Sequence, residues 1–252
     1  MNKYCICMPG KIGDLLYVLP TAKKLHEQDG ASIDICTSEV CRPVERLIKY
    51  QHYINEVHIS KKYVLRDLGQ GCQPWYMDPP DNQEYDKVYQ LGYQHFPYGP
   101  LHQYAASMAG VFPVANPQYD FPDIKYFDEP YIVVGHCSNR SSSEMAANYR
   151  YFVDRSPIKT VQTGAPEDWV GGPSENMTGL DFLETLSLIS RAKAFIGFYS
   201  GLLVLANGFP GLLKVVTMWP GVGEQHSLHI PVTIDLYPAT GPSILQTITD
   251  NL

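Results

Sequence analysis

Two loops of this sequence place a reactive or phosphate-binding group directly after an apolar strand pattern. The first, Pro9–Asp14, ends in a carboxylate that could accept a proton from a hydroxyl group. The second, Phe198–Gly201, leads into a predicted helix, and the backbone N–H groups at a helix start can bind phosphate. Each loop also has a purely structural interpretation, in which Asp14 and Ser200 only cap the helices that follow.

The elements around these loops alternate between strands and helices, which predicts parallel sheets with right-handed crossovers. Apolar runs predict strands over residues 4–8, 32–36, 56–59, 85–91, 131–134, 159–163, 194–197 and 214–218. Apolar residues at helical spacing predict helices over about 15–25, 41–49, 102–110, 143–152, 181–192, 202–207 and 243–252. Pro20 should kink or open the first of these helices. Because ligands of open parallel sheets bind beyond the carboxyl ends of the strands, both loops lie where a ligand is expected.

Charge and cysteine content disfavour several classes of protein. The 252 residues carry 19 basic and 26 acidic side chains, and the net charge of −7 gives no support to a generic polyanion-binding protein. The six cysteines form no CxxC pair, which favours reduced core thiols over a zinc site. Charged residues as early as Lys11 and Asp14 argue against a signal peptide and predict a cytoplasmic protein.

Further patterns disfavour a transmembrane segment and several kinds of ligand. Residues 194–213 carry no charge, but glycine, asparagine and proline interrupt them, so we expect buried sheet and no transmembrane segment. Gly10 and Gly13 form neither a G-x-G-x-x-G nor a Walker loop, which disfavours nicotinamide-dinucleotide and P-loop binding. The sequence contains no D-x-D pair, and we expect neither a metal site nor a cofactor.

Several short motifs occur in the order of one known family. Gly13–Leu16 followed by Leu19–Ala22 resembles the opening G-D-x-L-x-x-x-P-A motif of the family 9 glycosyltransferases, which include the heptosyltransferases. Thr163–Glu167 is similar to that family's G-x-P-E loop, and Phe195–Gly197 followed by Ser200-Gly201 resembles its donor-side segment. These pieces follow one another at fitting spacings, although the chain is shorter than a typical member.

The resemblance implies a GT-B-like α/β fold, in which two Rossmann-like parallel-sheet domains face a cleft. It implies an N-terminal acceptor domain over residues 1–118, a C-terminal nucleotide-sugar domain over 127–240 and a closing segment over 241–252. The implied activity is that of a metal-independent inverting glycosyltransferase. Its donor would be a nucleotide-diphosphate sugar, and its acceptor a hydroxyl of a lipopolysaccharide-like glycan or glycolipid.

The resemblance and the loop positions together give a set of candidate site residues. Asp14 falls on the family's general-base aspartate. The candidate donor-binding residues are Tyr199, Ser200, Gly201, Leu202, Gly164, Glu167 and Arg140. The candidates for binding the acceptor or a phosphate are Lys11, Gly13 and His102. Arg140 and Lys11 are the candidate cations for neutralising the diphosphate.

Two departures from the family pattern keep other functions open. Tyr199 stands where the family usually has Asp, and Val204 where it usually has His. One alternative is therefore a catalytically silent nucleotide-sugar-binding module. Another is a phage-type glycosyltransferase acting on modified DNA, which a cluster of basic residues between Arg42 and Arg66 permits and the overall acidity disfavours.

Overall fold

The computed structural model of the chain describes residues 2–61, 76–92, 100–136, 143–217, 234–236 and 239–252. Contacts divide the chain into two compact units, Met1–Phe121 and Pro122–Leu252. Each unit has its own parallel sheet with flanking helices. The α/β class with two Rossmann-like parallel sheets is thereby confirmed.

The first unit is built on a four-stranded parallel sheet in the order β3-β2-β1-β4. Its strands are Lys3–Met8 (β1), Ser32–Ser38 (β2), Ile54–Ser60 (β3) and Lys87–Gln90 (β4). Its helices are Ile12–Asp29 (α1), Glu45–Tyr50 (α2) and Leu101–Met108 (α3), with a 3₁₀ helix over Glu39–Val44. Helix α1 buries Leu15, Leu16, Leu19 and Leu25 and ends at Gly30, whose φ of 62° suits glycine.

Helix α1 is continuous through Pro20, so this proline does not open the first turns as the sequence led us to expect. Proline removes one backbone hydrogen bond from a helix interior. Here Pro20 is itself buried between apolar turns, and the packing of the long apolar face offsets the lost bond.

The second unit is built on a six-stranded parallel sheet in the order β10-β9-β8-β5-β6-β7. Its strands are Tyr131–Gly135 (β5), Lys159–Gly164 (β6), Glu175–Thr178 (β7), Ala194–Gly197 (β8), Leu213–Thr217 (β9) and Ile234–Leu236 (β10). Its helices are Ser143–Arg155 (α4), Phe182–Ser190 (α5), Gly201–Ala206 (α6) and Gly241–Asn251 (α7), with a 3₁₀ helix over Pro166–Asp168. Numbered within this unit, the strand order is that of the dinucleotide-binding folds, with β5 first and central.

The C-terminal helix α7 packs on α4 of the second unit. The Asn148 side chain accepts a hydrogen bond from the Gly241 backbone N–H at 3.0 Å and donates one to the Ala239 carbonyl at 3.2 Å. Ile244 and Ile248 are buried in the same apolar cluster as Phe152. The last residues therefore complete the core of this unit. Among the described helices, none combines the length and apolarity that crossing a bilayer requires.

Candidate functional site

The point where the strand order of the second sheet reverses lies between β5 and β8. Ligands of such sheets bind in the crevice outside the carboxyl ends of these two strands. Gly135 and Gly197 end β5 and β8 and are register partners. A Cβ on Gly197 would lie 2.6 Å from the Phe195 ring, and one on Gly135 would lie 3.0 Å from it. Both glycines are therefore needed to admit this ring, which is a packing role.

The predicted diphosphate-binding site is the turn from β8 into the six-residue helix α6. Ser200 is extended and precedes the helix, and the N–H groups of Leu203 and Val204 bond to its carbonyl at 3.1 and 3.3 Å. The Gly201 and Leu202 N–H groups precede the first intrahelical bond, as at any helix start. Ser200 Oγ is buried and has no hydrogen-bond partner among the described residues. The turn thus offers donors of the kind that a phosphate oxygen requires.

Two of the predicted donor residues have side chains that are buried. The Leu202 side chain packs toward Gly135, so its contact with a donor would come from the backbone N–H. Tyr199 is 7% exposed, and its hydroxyl donates to Asp235 Oδ1 at 3.5 Å. Burial and the Asp235 charge raise the pKa of Tyr199, and burial raises the pKa of Asp235. The Asp235 carboxylate therefore lies beside the residue that replaces the family's aspartate.

The loop after β6 is organised by Asp168, a residue that sequence reasoning missed. Gly164 has a φ of 130°, and a Cβ on it would lie 2.5 Å from Asp168 Oδ2. The same oxygen accepts the Ala165 N–H at 2.9 Å and caps the 3₁₀ helix. Glu167 is exposed on this helix. The predicted residues Gly164 and Glu167 thus lie in a loop whose shape depends on the Asp168 side chain.

His136 is a second residue that sequence reasoning missed, although it lies two residues after the predicted strand over 131–134. Its Nδ1 donates to the Asp168 carbonyl at 3.2 Å, and burial lowers its pKa. Its ring meets Tyr149 edge-on at 5.5 Å, and the Tyr149 hydroxyl bonds to Thr217. Together these contacts link the carboxyl ends of β5, β6 and β9. His136 is therefore placed to orient the loops that follow these strands.

In the first unit, Asp14 lies in the first turn of α1, after the strand β1 that borders the reversal point of that sheet. Its Oδ2 accepts the backbone N–H of Lys11 at 2.9 Å. A Cβ on Gly10 would lie 2.8 Å from Asp14 Cβ, so only glycine allows the loop to close over this carboxylate. Gly13 is partly buried and Lys11 is exposed. Asp14 therefore caps its helix in this structure, and a partly exposed carboxylate also suits proton transfer.

The remaining predicted residues have different placements. His102 is 2% exposed, stacks on Tyr17 at 6.1 Å between ring centroids, and has its pKa lowered by burial. Its neutral, enclosed imidazole fits a core position better than a phosphate contact. Arg140 lies outside the described residues. Within the described chain, one group of potential metal ligands comes together, Asp34, Glu56 and His58, where the sequence had predicted none.

No family model matches the sequence, and no curated protein sequence matches it either. Several solved structures, however, are similar to this chain in fold. The heptosyltransferase WaaC of E. coli, bound to ADP-2-deoxy-2-fluoro heptose, has 13% identity and a TM-score of 0.67, covering 99% of this chain and 100% of its own. A family 9 glycosyl transferase of Veillonella parvula has 11% identity and a TM-score of 0.63, covering 100% of this chain and 92% of its own.

The iron-containing dodecameric glycosyltransferase TibC of enterotoxigenic E. coli has 18% identity and a TM-score of 0.60, covering 84% of this chain. The chain spans 57% of the length of that structure, and 65% of a second TibC structure, in complex with ADP-D-β-D-heptose. This chain has the fold of the heptosyltransferases. The heptosyltransferase-like architecture implied by the motifs is thereby confirmed, and its chemistry has to be argued from the site.

Proposed function

We propose that the protein is a metal-independent, inverting glycosyltransferase that uses a nucleotide-diphosphate sugar and a glycan or glycolipid acceptor. The observation that carries the proposal is the match to WaaC along both chains, since that structure holds an analogue of a nucleotide-sugar donor. The candidate loops support it, because each follows a strand that borders the reversal point of its own sheet.

In the proposed reaction, Asp14 acts as the general base. Its carboxylate accepts the proton of the acceptor hydroxyl while the hydroxyl oxygen attacks the anomeric carbon. The bond between this carbon and the diphosphate oxygen breaks on the opposite face, so the configuration inverts. The Lys11 N–H bonded to Asp14 holds the carboxylate in one orientation.

The proposed hydrogen-bond donors to the leaving diphosphate belong to the second unit. The Gly201 and Leu202 N–H groups, the Ser200 hydroxyl and the positive end of the helix dipole favour negative charge at this turn. Arg140 and Lys11 remain the proposed cations. ADP-heptose is one candidate donor, because the matched WaaC and TibC structures hold ADP-heptose or an analogue of it.

One observation favours a second candidate function, a catalytically silent nucleotide-sugar-binding module. Val204 is buried within α6 and Tyr199 is turned toward Asp235, so neither residue offers the polar group that the family has at that position. Such a module would bind donors at the α6 turn without transferring sugar.

A donor panel followed by product analysis tests these two functions. Nucleotide diphosphates and their sugars are first ranked by thermal shift, because a ligand at about 100 times its Kd stabilises a fold by about 2.7 kcal/mol. The best donor is then incubated with acceptor glycans, and the anomeric configuration of the product is read by NMR. An inverted product supports the transferase. Binding without transfer to any acceptor or to water supports the silent module, and retention of configuration contradicts the mechanism.

A further inference from the structure

The first sheet carries a cluster of polar side chains that the proposed transfer reaction does not use. Asp34 on β2 and Glu56 on β3 are register partners, and His58 lies two residues after Glu56 on the same face of β3. Asp34 is completely buried in a sheet whose other buried strand positions are largely apolar. Burying a carboxylate is costly, so its retention requires compensating partners.

His58 Nε2 lies between the two carboxylates. It is 3.3 Å from Glu56 Oε2 and 3.5 Å from Asp34 Oδ2, and it is buried without a bond of hydrogen-bonding geometry to any described residue. The three ligand atoms all lie within 4.8 Å of one another. Two ligands about 2.1 Å from a tetrahedral zinc ion are about 3.4 Å apart, which these separations match. We propose that Asp34, Glu56 and His58 bind one divalent transition-metal ion.

The surroundings of Asp34 are those of an oriented metal ligand. Its Oδ1 accepts a hydrogen bond from Asn55 Nδ2 at 2.8 Å, and its Oδ2 accepts one from the Tyr85 hydroxyl at 3.0 Å. Metal-binding carboxylates are commonly held by such outer hydrogen bonds, which fix the direction of the remaining lone pairs. The pairing with Asn55 and Tyr85 therefore keeps an Asp34 oxygen directed at His58.

The Lys3 ammonium group would compete with a metal ion for the Asp34 carboxylate. Its Nζ lies 3.3 Å from Asp34 Oδ2 and also donates to Gln83 Oε1 at 2.5 Å. With Lys3 present, the two carboxylates and one ammonium carry a net charge of −1, and a bound divalent ion would change it to +1, whereas without Lys3 the ion would neutralise the two carboxylates. Because Gln83 offers the ammonium a second acceptor, Lys3 can withdraw from Asp34 when a metal ion enters.

The ligand set selects the class of ion. One imidazole and two carboxylates suit Zn²⁺, Mn²⁺ or Fe²⁺, whereas Mg²⁺ and Ca²⁺ prefer oxygen ligands alone. Of the three proposed ligands, His58 lines a pocket of about 540 Å³, together with Cys36 and Asp78 among others. We infer that an ion and its water ligands reach the cluster through this pocket, on the side of His58.

The test is calorimetric titration of Zn²⁺ into the full chain after treatment with a chelator and its removal. We expect one ion per chain. Glu56→Gln and His58→Gln should each weaken binding at least about tenfold, because each removes a direct ligand. Glu56 is 54% exposed, so its variant should fold even if the His58 variant does not. Lys3→Met should strengthen binding, because it removes the competing cation from Asp34.

His52→Gln is the matched control, since the exposed His52 side chain forms a hydrogen bond with Asp120 in the same unit. It should leave zinc affinity unchanged. Absence of binding, equal affinity in wild type and Glu56→Gln, an equal loss in His52→Gln, or no gain in Lys3→Met would each overturn the site. These measurements use no sugar donor, so their failure is separate from failure of the proposed transferase.

Discussion

At the scale of single residues, the two interpretations of Asp14 are compatible. The bond from the Lys11 N–H holds one carboxylate oxygen at the start of α1. A general base has to be held in one orientation, and a helix-capping bond does this. A negative charge in the first turn also interacts favourably with the helix dipole. The same contact can therefore stabilise the helix and prepare the carboxylate for proton transfer.

Asp14→Asn separates these roles. The amide oxygen can still accept the Lys11 N–H, so the loss of stability should be limited to the charge effect of about 0.3–1 kcal/mol. Turnover should fall by about 10²–10⁴-fold because the base is lost. Donor affinity should not change, because the proposed diphosphate-binding turn belongs to the second unit. The measurements are turnover, donor affinity by calorimetry and the melting temperature.

Asp181→Asn is the control for Asp14→Asn, because Asp181 caps α5 through the Glu184 N–H at 2.9 Å. It should leave turnover unchanged. Near-normal turnover of Asp14→Asn would remove Asp14 from the mechanism. A large drop in its melting temperature would leave only the capping role.

The buried Asp34 predicts a pH dependence of stability. Burial acts to raise its pKa, but hydrogen bonds from Asn55 and Tyr85 and the Lys3 charge outweigh this and lower the pKa. A carboxyl group whose folded pKa is depressed contributes stability that is present above its unfolded pKa, about 3.9, and is lost as the pH falls through the folded pKa. The melting temperatures of wild type and Asp34→Asn, measured in EDTA, should therefore differ most above pH 4 and converge below it. A constant difference down to pH 2 would contradict this assignment.

At the scale of elements, apolar periodicity predicted eight strands, and these correspond to eight of the ten in the described chain. The two missed strands, β7 and β10, lie at the two edges of the second sheet, where no apolar run is required. The predicted helix over 41–49 is a 3₁₀ helix followed by the α-helix over Glu45–Tyr50, because Pro43 has no N–H group to donate to an α-helical hydrogen bond.

The proposed binding of a diphosphate at the turn into α6 depends on the missing side chain of Gly201. Gly201→Val places a branched side chain at the first helical residue and should block close approach of a diphosphate. Nucleotide affinity should fall at least about tenfold, since charge-assisted bonds to N–H groups contribute about 1.5–3 kcal/mol. Gly211→Val is the matched control, because a Cβ there meets no atom within 4 Å. Equal nucleotide affinity in the two folded variants would place the donor elsewhere.

The loop after β6 gives a second element-scale prediction. Gly164→Ala should lower the free energy of unfolding by about 1–3 kcal/mol, because φ is 130° and the added Cβ meets the Asp168 carboxylate. Gly179→Ala separates strain from overlap, since its φ is 84° but its nearest contact is at 3.7 Å. We expect a smaller loss for Gly179→Ala in thermal denaturation. The opposite ranking would show that Asp168 moves away without cost.

Across the whole molecule, the sequence predicted candidate residues that lie in local motifs and missed residues that only strand pairing brings together. Asp14 and Ser200 could be proposed as candidates because each lies next to a strand and within a short motif. The cluster of Asp34, Glu56 and His58 could not, because its members come from two strands joined only by their register. His136 and Asp168 were missed for the same reason, since their bond joins the ends of β5 and β6.

The proposed transferase mechanism and the proposed first-sheet metal site predict different responses to removal of metal ions. Transfer is proposed to need no metal, because helix N–H groups and a cation stabilise the leaving diphosphate, whereas the first sheet is proposed to bind a transition-metal ion. EDTA should therefore leave turnover at saturating substrate unchanged while lowering the melting temperature of metal-loaded protein. In Glu56→Gln, EDTA should leave turnover unchanged and lower the melting temperature less than in wild type, because the variant binds the metal more weakly. The experiment measures turnover and melting temperature in EDTA, and again with Mg²⁺, Mn²⁺ or Zn²⁺ restored. The opposite result is that EDTA abolishes turnover and Mg²⁺ or Mn²⁺ restores it, in both wild type and Glu56→Gln. Because the first-sheet site is impaired in Glu56→Gln, this result would indicate a separate catalytic metal at the diphosphate and would contradict the proposed mechanism.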